Sequence, residues 1–293
     1  MKYRTLGRTG LEVSEISIGG ASIMGHDPDK FQENTCEVLN RAFELGINYI
    51  DTAPLYGDSE DLLGVALEGE KRPYYLATKV GFKPENFDYR RDTVLRSLES
   101  SLKKLRRDKL TTAQIHEVNL AGWDRIMEPG GTLEGLREAQ KRGMCEFIGI
   151  TARAIPELAR LAATGEFDTV MVYHDYHPLC QLAAEEVIPA AAAQNMGILP
   201  ATILGGGLLF PEDERRQAKV DAIEDEAERE RTIRILERLQ QEPGTLPQQA
   251  FRWVLADERV SSANSGASSV AKLEDVVQAS EMGPLAHDSV ALD

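Results

Sequence analysis

The feature that most constrains this chain is a repeating alternation. Short apolar runs with the character of strands are each followed by a stretch whose apolar residues recur at helical spacing. The runs fall at residues 16–18, 47–51, 74–79, 110–116, 145–150, 168–173, 197–202 and 258–263, eight in all. Helical patterns separate them, for example Thr35 to Leu45, Thr93 to Leu105, Leu133 to Lys141, Pro156 to Ala163 and Ala183 to Gln194. A strand that returns through a helix to the next strand calls for a parallel sheet. Eight such units in about 250 residues fit a closed barrel, and no Gly-x-Gly-x-x-Gly follows the first run to suggest an open dinucleotide-binding sheet. The expected fold is therefore α/β, a (β/α)8 TIM barrel, with residues 1–293 as a single domain.

Three segments break the rhythm. Arg4 to Val13 reads as an N-terminal β-hairpin around a Gly-containing turn, an appendage and not a barrel strand. Residues 211–244 are dense in Glu and Arg and read as one extra acidic amphipathic helix after strand seven, with Ala222, Ile223, Ile233, Leu236 and Leu239 along it. Such a segment is a solvated outer face, or else a lid or partner surface at the rim. Beyond Glu281 the periodicity fades, which leaves either an extended strap or a frayed end.

Composition narrows the function classes. With 42% hydrophobic residues the chain can bury a sizeable core. A formal net charge of −15 excludes the clustered Lys and Arg that a nucleic-acid footprint needs. No apolar run reaches the roughly 18 residues of a membrane span, and no basic-then-apolar leader opens the chain, so neither membrane nor export is expected and the cytoplasm is the expected location. Cys36, Cys145 and Cys180 are odd in number and widely spaced, which reads as reduced thiols without a disulfide or metal.

Parallel barrel strands point their carboxyl ends at one rim, so polar residues that close apolar runs converge there. Asp51 and Tyr56 follow the second run, Lys79 closes the third and His116 closes the fourth. An acid, a phenol, an amine and an imidazole in one pocket can move a proton. Each has an ordinary role when alone, the Asp as a helix cap, the Tyr in packing and the Lys in solvent. Their joint placement on adjacent strand ends is what points to catalysis. His174, Asp175 and His177 invite a metal reading, but metal-dependent barrels draw ligands from several strands, and no metal is expected.

Asp51-Thr52-Ala53 with Tyr56-Gly57, then Ala77-Thr78-Lys79, then Gln114-Ile115-His116 resembles the aldo-keto reductase superfamily. The likeness extends to the opening Leu6-Gly7-Arg8-Thr9-Gly10-Leu11 and to Gly206-Gly207-Leu208-Leu209. Phe147-Ile148-Gly149-Ile150-Thr151 and Tyr173-His174-Asp175-Tyr176 are most similar to the L-galactose and L-fucose dehydrogenase group. The resemblance implies a (β/α)8 barrel and an NAD(P)-dependent oxidoreductase acting on a small carbonyl or sugar substrate. Tyr56 would exchange the proton, Lys79 would favour the phenolate, Asp51 would hold Lys79, and a neutral His116 would orient the reacting oxygen. It also implies cofactor contacts from Gly20, Thr151, Tyr173, Leu204, Gly205, Gly207, Gly266, Ser268 and Lys272. The substrate-pocket candidates are Glu117, Trp123 and His174. Thr151 stands where many relatives carry Ser, and Tyr173 where many carry Gln. Gly266 and Ser268 replace the Lys or Arg usual in NADP-preferring relatives, and Val276 replaces an Asn, so NAD is slightly favoured over NADP. Three readings remain open: an aldose dehydrogenase forming a lactone, a broad NADPH-dependent aldehyde reductase, and a nucleotide-sensing partner with little turnover.

Overall fold

The computed structural model describes residues 1–83, 86–211 and 214–291. A two-stranded antiparallel hairpin opens the chain, β1 (Tyr3–Thr5) and β2 (Glu12–Ser14). The barrel strands begin with β3 (Ile16–Gly19), β4 (Tyr49–Asp51) and β5 (Tyr75–Val80). A second small hairpin, β6 (Phe82–Lys83) and β7 (Asn86–Phe87), follows at the rim. The barrel then continues through β8 (Leu110–His116), β9 (Cys145–Ala152), β10 (Thr169–Tyr173), β11 (Gly197–Ala201) and β12 (Ala263–Ser265). These eight strands form one parallel sheet in the order β11-β10-β9-β8-β5-β4-β3-β12. A parallel bridge between Ile198 and Val260 and the bond from Ser261 N–H to the Ile198 carbonyl bring β11 back towards β12 and nearly close the barrel.

Amphipathic helices cover the outside: α1 (Phe31–Glu44), α2 (Ser59–Ala66), α3 (Arg91–Leu105), the short α4 (Val118–Ala121) and α5 (Trp123–Met127), α6 (Thr132–Lys141), α7 (Ile155–Ala162) and α8 (Val187–Ala193). Then come α9 (Glu214–Asp221), α10 (Glu226–Leu239), α11 (Leu246–Leu255) and α12 (Val270–Met282). In α1, for example, Val38, Leu39, Ala42 and Phe43 are buried, the i, i+1, i+4, i+5 stripe of a helix lying on a sheet. The layer between strands and helices is the larger core. A smaller one fills the barrel itself, with Leu6, Val13, Tyr49, Ala77, Met171 and Leu199. Leu6 belongs to the hairpin, which therefore plugs the amino-terminal mouth, and Arg8 N–H donates to the Asn195 carbonyl to hold it there. The opposite mouth is left for the site.

The structure corrects two expectations and decides a third that was left open. The eighth strand, expected at 258–263, pairs with β3 only from Ala263 to Ser265. Asp257 explains the delay: its carboxylate accepts from Arg259 N–H at 3.0 Å and pairs with the guanidinium at 2.7 Å, folding the chain into a turn that Val260 N–H closes on the Asp257 carbonyl. The acidic insertion is two helices and not one. Asp225 caps α10 by accepting from Glu228 N–H at 2.8 Å, and a new cap starts a new helix. Its buried face carries Thr232, Ile235, Leu236 and Leu239, whereas Ile233 is exposed. Residues 212–213 of the insertion lie outside the described residues. The tail is docked: Leu285 N–H donates to the Arg252 carbonyl, and a 3-10 turn at His287–Val290 buries Val290.

Candidate active site

Asp51 ends β4, Lys79 is the penultimate residue of β5, His116 ends β8, and Tyr56 stands in the loop between β4 and α2. The ladders β4–β5 and β5–β8 put these strand ends side by side. Lys79 is 1% exposed, and its ammonium donates to Asp51 Oδ2 at 2.5 Å and to the Thr52 carbonyl at 2.9 Å. The same nitrogen lies 4.9 Å from the centroid of the Tyr56 ring. The Tyr56 and His116 rings meet edge to face, 5.9 Å apart. All four predicted residues are thus brought into one cluster.

Burial and charge set their protonation. Burial lowers the pKa of an ammonium, but at Lys79 the attraction of Asp51 and Tyr56 outweighs it and the pKa is raised, so the side chain stays charged. Tyr56 is raised by burial against the opposing pull of Lys79, which keeps the phenol protonated. His116 is lowered to about 3, first by burial and then by the Lys79 charge, so its imidazole is neutral.

Two further residues complete the cluster without having been named as site residues from the sequence. Gln114, on β8, donates to Asp51 Oδ1 at 2.7 Å and so fixes the carboxylate oxygen that Lys79 does not hold. The Tyr89 hydroxyl donates to the His116 carbonyl at 2.7 Å and the Glu117 carbonyl at 3.3 Å. In the sequence Gln114 appeared only as part of the Gln114-Ile115-His116 motif, without a role of its own; Tyr89 gave no signal.

The remaining candidates spread around the same rim. Thr151 is buried near the end of β9, in register with His116. Tyr173 ends β10, but its hydroxyl donates to Glu117 Oε1 at 2.5 Å, which ties it to the catalytic half of the rim. Glu117, His174 and Thr202 follow β8, β10 and β11 directly, and all three have positive φ, at 57°, 65° and 54°. Such a backbone costs a non-glycine residue of order 1–3 kcal/mol, and strain of this kind gathers at functional rims. Trp123 faces α7, with the Arg160 guanidinium 3.7 Å over its ring. Asp175 pairs with Arg153 at 3.2 Å, and His177 Nδ1 accepts from Leu179 N–H at 3.3 Å. Among the described residues, no group of three or more His, Cys, Asp or Glu is arranged to hold a metal.

On the other half of the rim lies a backbone cradle. Gly205, Gly206 and Gly207 have φ of 55°, 63° and 104°. A Cβ on Gly205 would come within 3.3 Å of His177 Cε1, one on Gly206 within 3.3 Å of His174 Cε1, and one on Gly207 within 2.9 Å of Lys219 Cε. The loop therefore presents bare backbone, with a lysine from α9 beside it, the arrangement that suits a pyrophosphate. Lys219 is another residue that sequence spacing did not single out. Leu204 leads into this turn and packs against the core. Beyond β12, Gly266 is exposed, and Lys272 Nζ donates to Ser268 Oγ at 2.9 Å at the start of α12. At Gly20 a Cβ would fall 2.6 Å from Ser59 Oγ and 2.8 Å from Thr52 Oγ1, so packing alone requires glycine there.

The buried neutral histidines make a pH prediction. His116 lies at about 3 and His177, lowered chiefly by burial, at about 4. Unfolded, both take up protons near pH 6.5, so the unfolded chain binds more protons than the folded one between these limits. Stability is then full above about pH 6.5 and falls as the pH drops towards 3, by up to about 1.4 kcal/mol per pH unit for each histidine. Urea midpoints between pH 7 and 4.5 would show it, and a His177→Gln variant that keeps the parent slope would contradict it.

The family profile described as the aldo/keto reductase family matches residues 15–292. L-galactose dehydrogenase of Arabidopsis thaliana is 27% identical, covering 100% of this chain and 92% of that protein. D-threo-aldose 1-dehydrogenase of a Pseudomonas species is 26% identical, over 90% of this chain and 88% of its own length. Among solved structures, the holo form of aldo-keto reductase AKR11C1 from Bacillus halodurans superposes with a TM-score of 0.82 at 26% identity, covering 99% of this chain and 94% of the other. Aldo-keto reductases use NAD(P)H, and the glycine cradle fits such a nucleotide. With its barrel, its four converging polar residues and a profile match along nearly its whole length, this chain is an oxidoreductase that belongs to the aldo/keto reductase family.

Proposed function

We propose that the enzyme oxidises a small aldose, of the L-galactose or L-fucose kind, at C1 to the lactone. The observation that carries the reading is the Tyr56, Lys79 and Asp51 chain beside a neutral His116. The polar wall of Glu117 and Tyr173, and the two sugar-oxidising relatives, support the substrate class. When bound, NAD or NADP would supply the hydride acceptor; Gly205–Gly207, Ser268 and Lys272, together with Thr151 beside His116, would hold it.

In the oxidative direction Tyr56 must first lose its proton, and its phenolate would then take the hydroxyl proton as the C1–H bond breaks and the hydride leaves for the nicotinamide. Lys79 offsets part of the burial penalty on its phenolate, and Asp51, gripped by Gln114, keeps Lys79 in place. Neutral His116 directs the reacting oxygen towards Tyr56. In the reverse direction the protonated phenol donates to a carbonyl, and its raised pKa favours this second reading, aldehyde reduction. NAD is preferred over NADP, because Lys272 would have to leave Ser268 to meet a 2′-phosphate.

The test is absorbance at the reduced-nicotinamide band with L-galactose, L-fucose or D-arabinose and either nucleotide, beside a simple aldehyde with reduced nucleotide. Sugar-dependent reduction of NAD is the expected result. Turnover confined to the aldehyde would replace the aldose reading with the reductase. Turnover with NADP more than tenfold above NAD would reverse the cofactor preference.

A further inference from the structure

We propose that Glu117 selects hydroxylated, uncharged substrates by accepting a hydrogen bond from the hydroxyl on the carbon next to the reacting one. This rests on the reading that the substrate is a polyol. Glu117 Oε1 lies 4.0 Å from His116 Nε2 and accepts from the Tyr173 hydroxyl at 2.5 Å. The side chain is 15% exposed, so most of its surface is covered. A substrate oxygen held by Tyr56 and His116 brings its vicinal oxygen to this carboxylate, because the two groups are spaced to grip neighbouring oxygens. An ionised carboxylate offers about four lone-pair positions, and Tyr173 occupies one of them.

Two observations indicate that the placement is built. The backbone is held left-handed at φ 57° and ψ 67°, and Tyr89 anchors the carbonyls of both His116 and Glu117. A strained conformation persists only where its surroundings overdetermine it. His116 is neutral, so it does not cancel the negative charge beside it. That charge strengthens a bond from a hydroxyl and repels a phosphate or carboxylate on the same substrate.

The experiment compares three three-carbon aldehydes, propanal, glyceraldehyde and glyceraldehyde 3-phosphate, reduced by the parent enzyme, Glu117→Gln and Glu117→Asp. In Glu117→Gln the ratio of kcat/KM for glyceraldehyde to that for propanal should fall about tenfold, the difference between a charged and a neutral acceptor. The fall should sit mainly in KM. The ratio for the phosphorylated over the unphosphorylated aldehyde should rise, and Glu117→Asp should recover part of the first ratio. Ratios within twofold of the parent for both pairs would overturn the proposal. Since each ratio is internal to one preparation, partial misfolding cancels. Because all are read in aldehyde reduction, absence of sugar oxidation would count against the aldose reading separately.

Discussion

Tyr56→Phe is expected to lower kcat by about a thousandfold, within the range removed with a positioned proton donor or acceptor. The change deletes one oxygen and keeps the ring, so the edge-to-face contact with His116 at 5.9 Å and the stacking under Lys79 at 4.9 Å survive. The melting temperature should accordingly stay within a degree or two of the parent, and nucleotide binding, followed by quenching of protein fluorescence, should be retained. Steady-state kinetics in both directions provide the check. A loss below tenfold would mean that another group moves the proton and would end the assignment of Tyr56.

Lys79→Met is expected to abolish turnover and also to destabilise the fold by about 3–5 kcal/mol, because it strands a buried carboxylate. Asp51 is 2% exposed, and without Lys79 its carboxylate keeps, among the described residues, the amide of Gln114. The double variant Asp51→Asn with Lys79→Met removes both charges and should regain most of the stability while remaining inactive. Residues in one buried network couple in this way, and a thermodynamic cycle from urea midpoints measures the coupling. Additive effects of the two single changes would show that the pair is not the unit described. The raised pKa of Lys79 gives the sign of its pH dependence. Its contribution is complete below the unfolded lysine value of 10.5 and is lost only as the pH rises through the still higher folded value, so the Lys79 contribution is insensitive to pH in the neutral range.

The cluster that these variants probe was legible because its logic is local. Asp51, Lys79 and His116 each interrupt an apolar run at its carboxyl end, and the parallel barrel turns that position into a common rim. The position of Glu117 at the rim, next to His116, was legible for the same reason. Its grip on Tyr173 was not, because the partner lies 56 residues away on another strand. Trp123 was read as a pocket candidate from its loop alone, and its stacking under Arg160 of α7 was not legible there. At Gly20 the sequence did not show the packing requirement that the hydroxyls of Thr52 and Ser59 impose.

By itself the sequence determined the repeating unit, the count of eight strands, the hairpin and the four polar residues that close or follow them. These depend on side-chain period and on residue type, which are properties of neighbours along the chain. Only the tertiary structure decided where the eighth strand starts, that the acidic insertion breaks at Asp225, and that its Lys219 lies against Gly207. It alone decided the protonation of the site as well. Tyr56 stays protonated and His116 neutral because burial outweighs the nearby charge at one and reinforces it at the other, and burial is set by what the whole barrel packs around a residue.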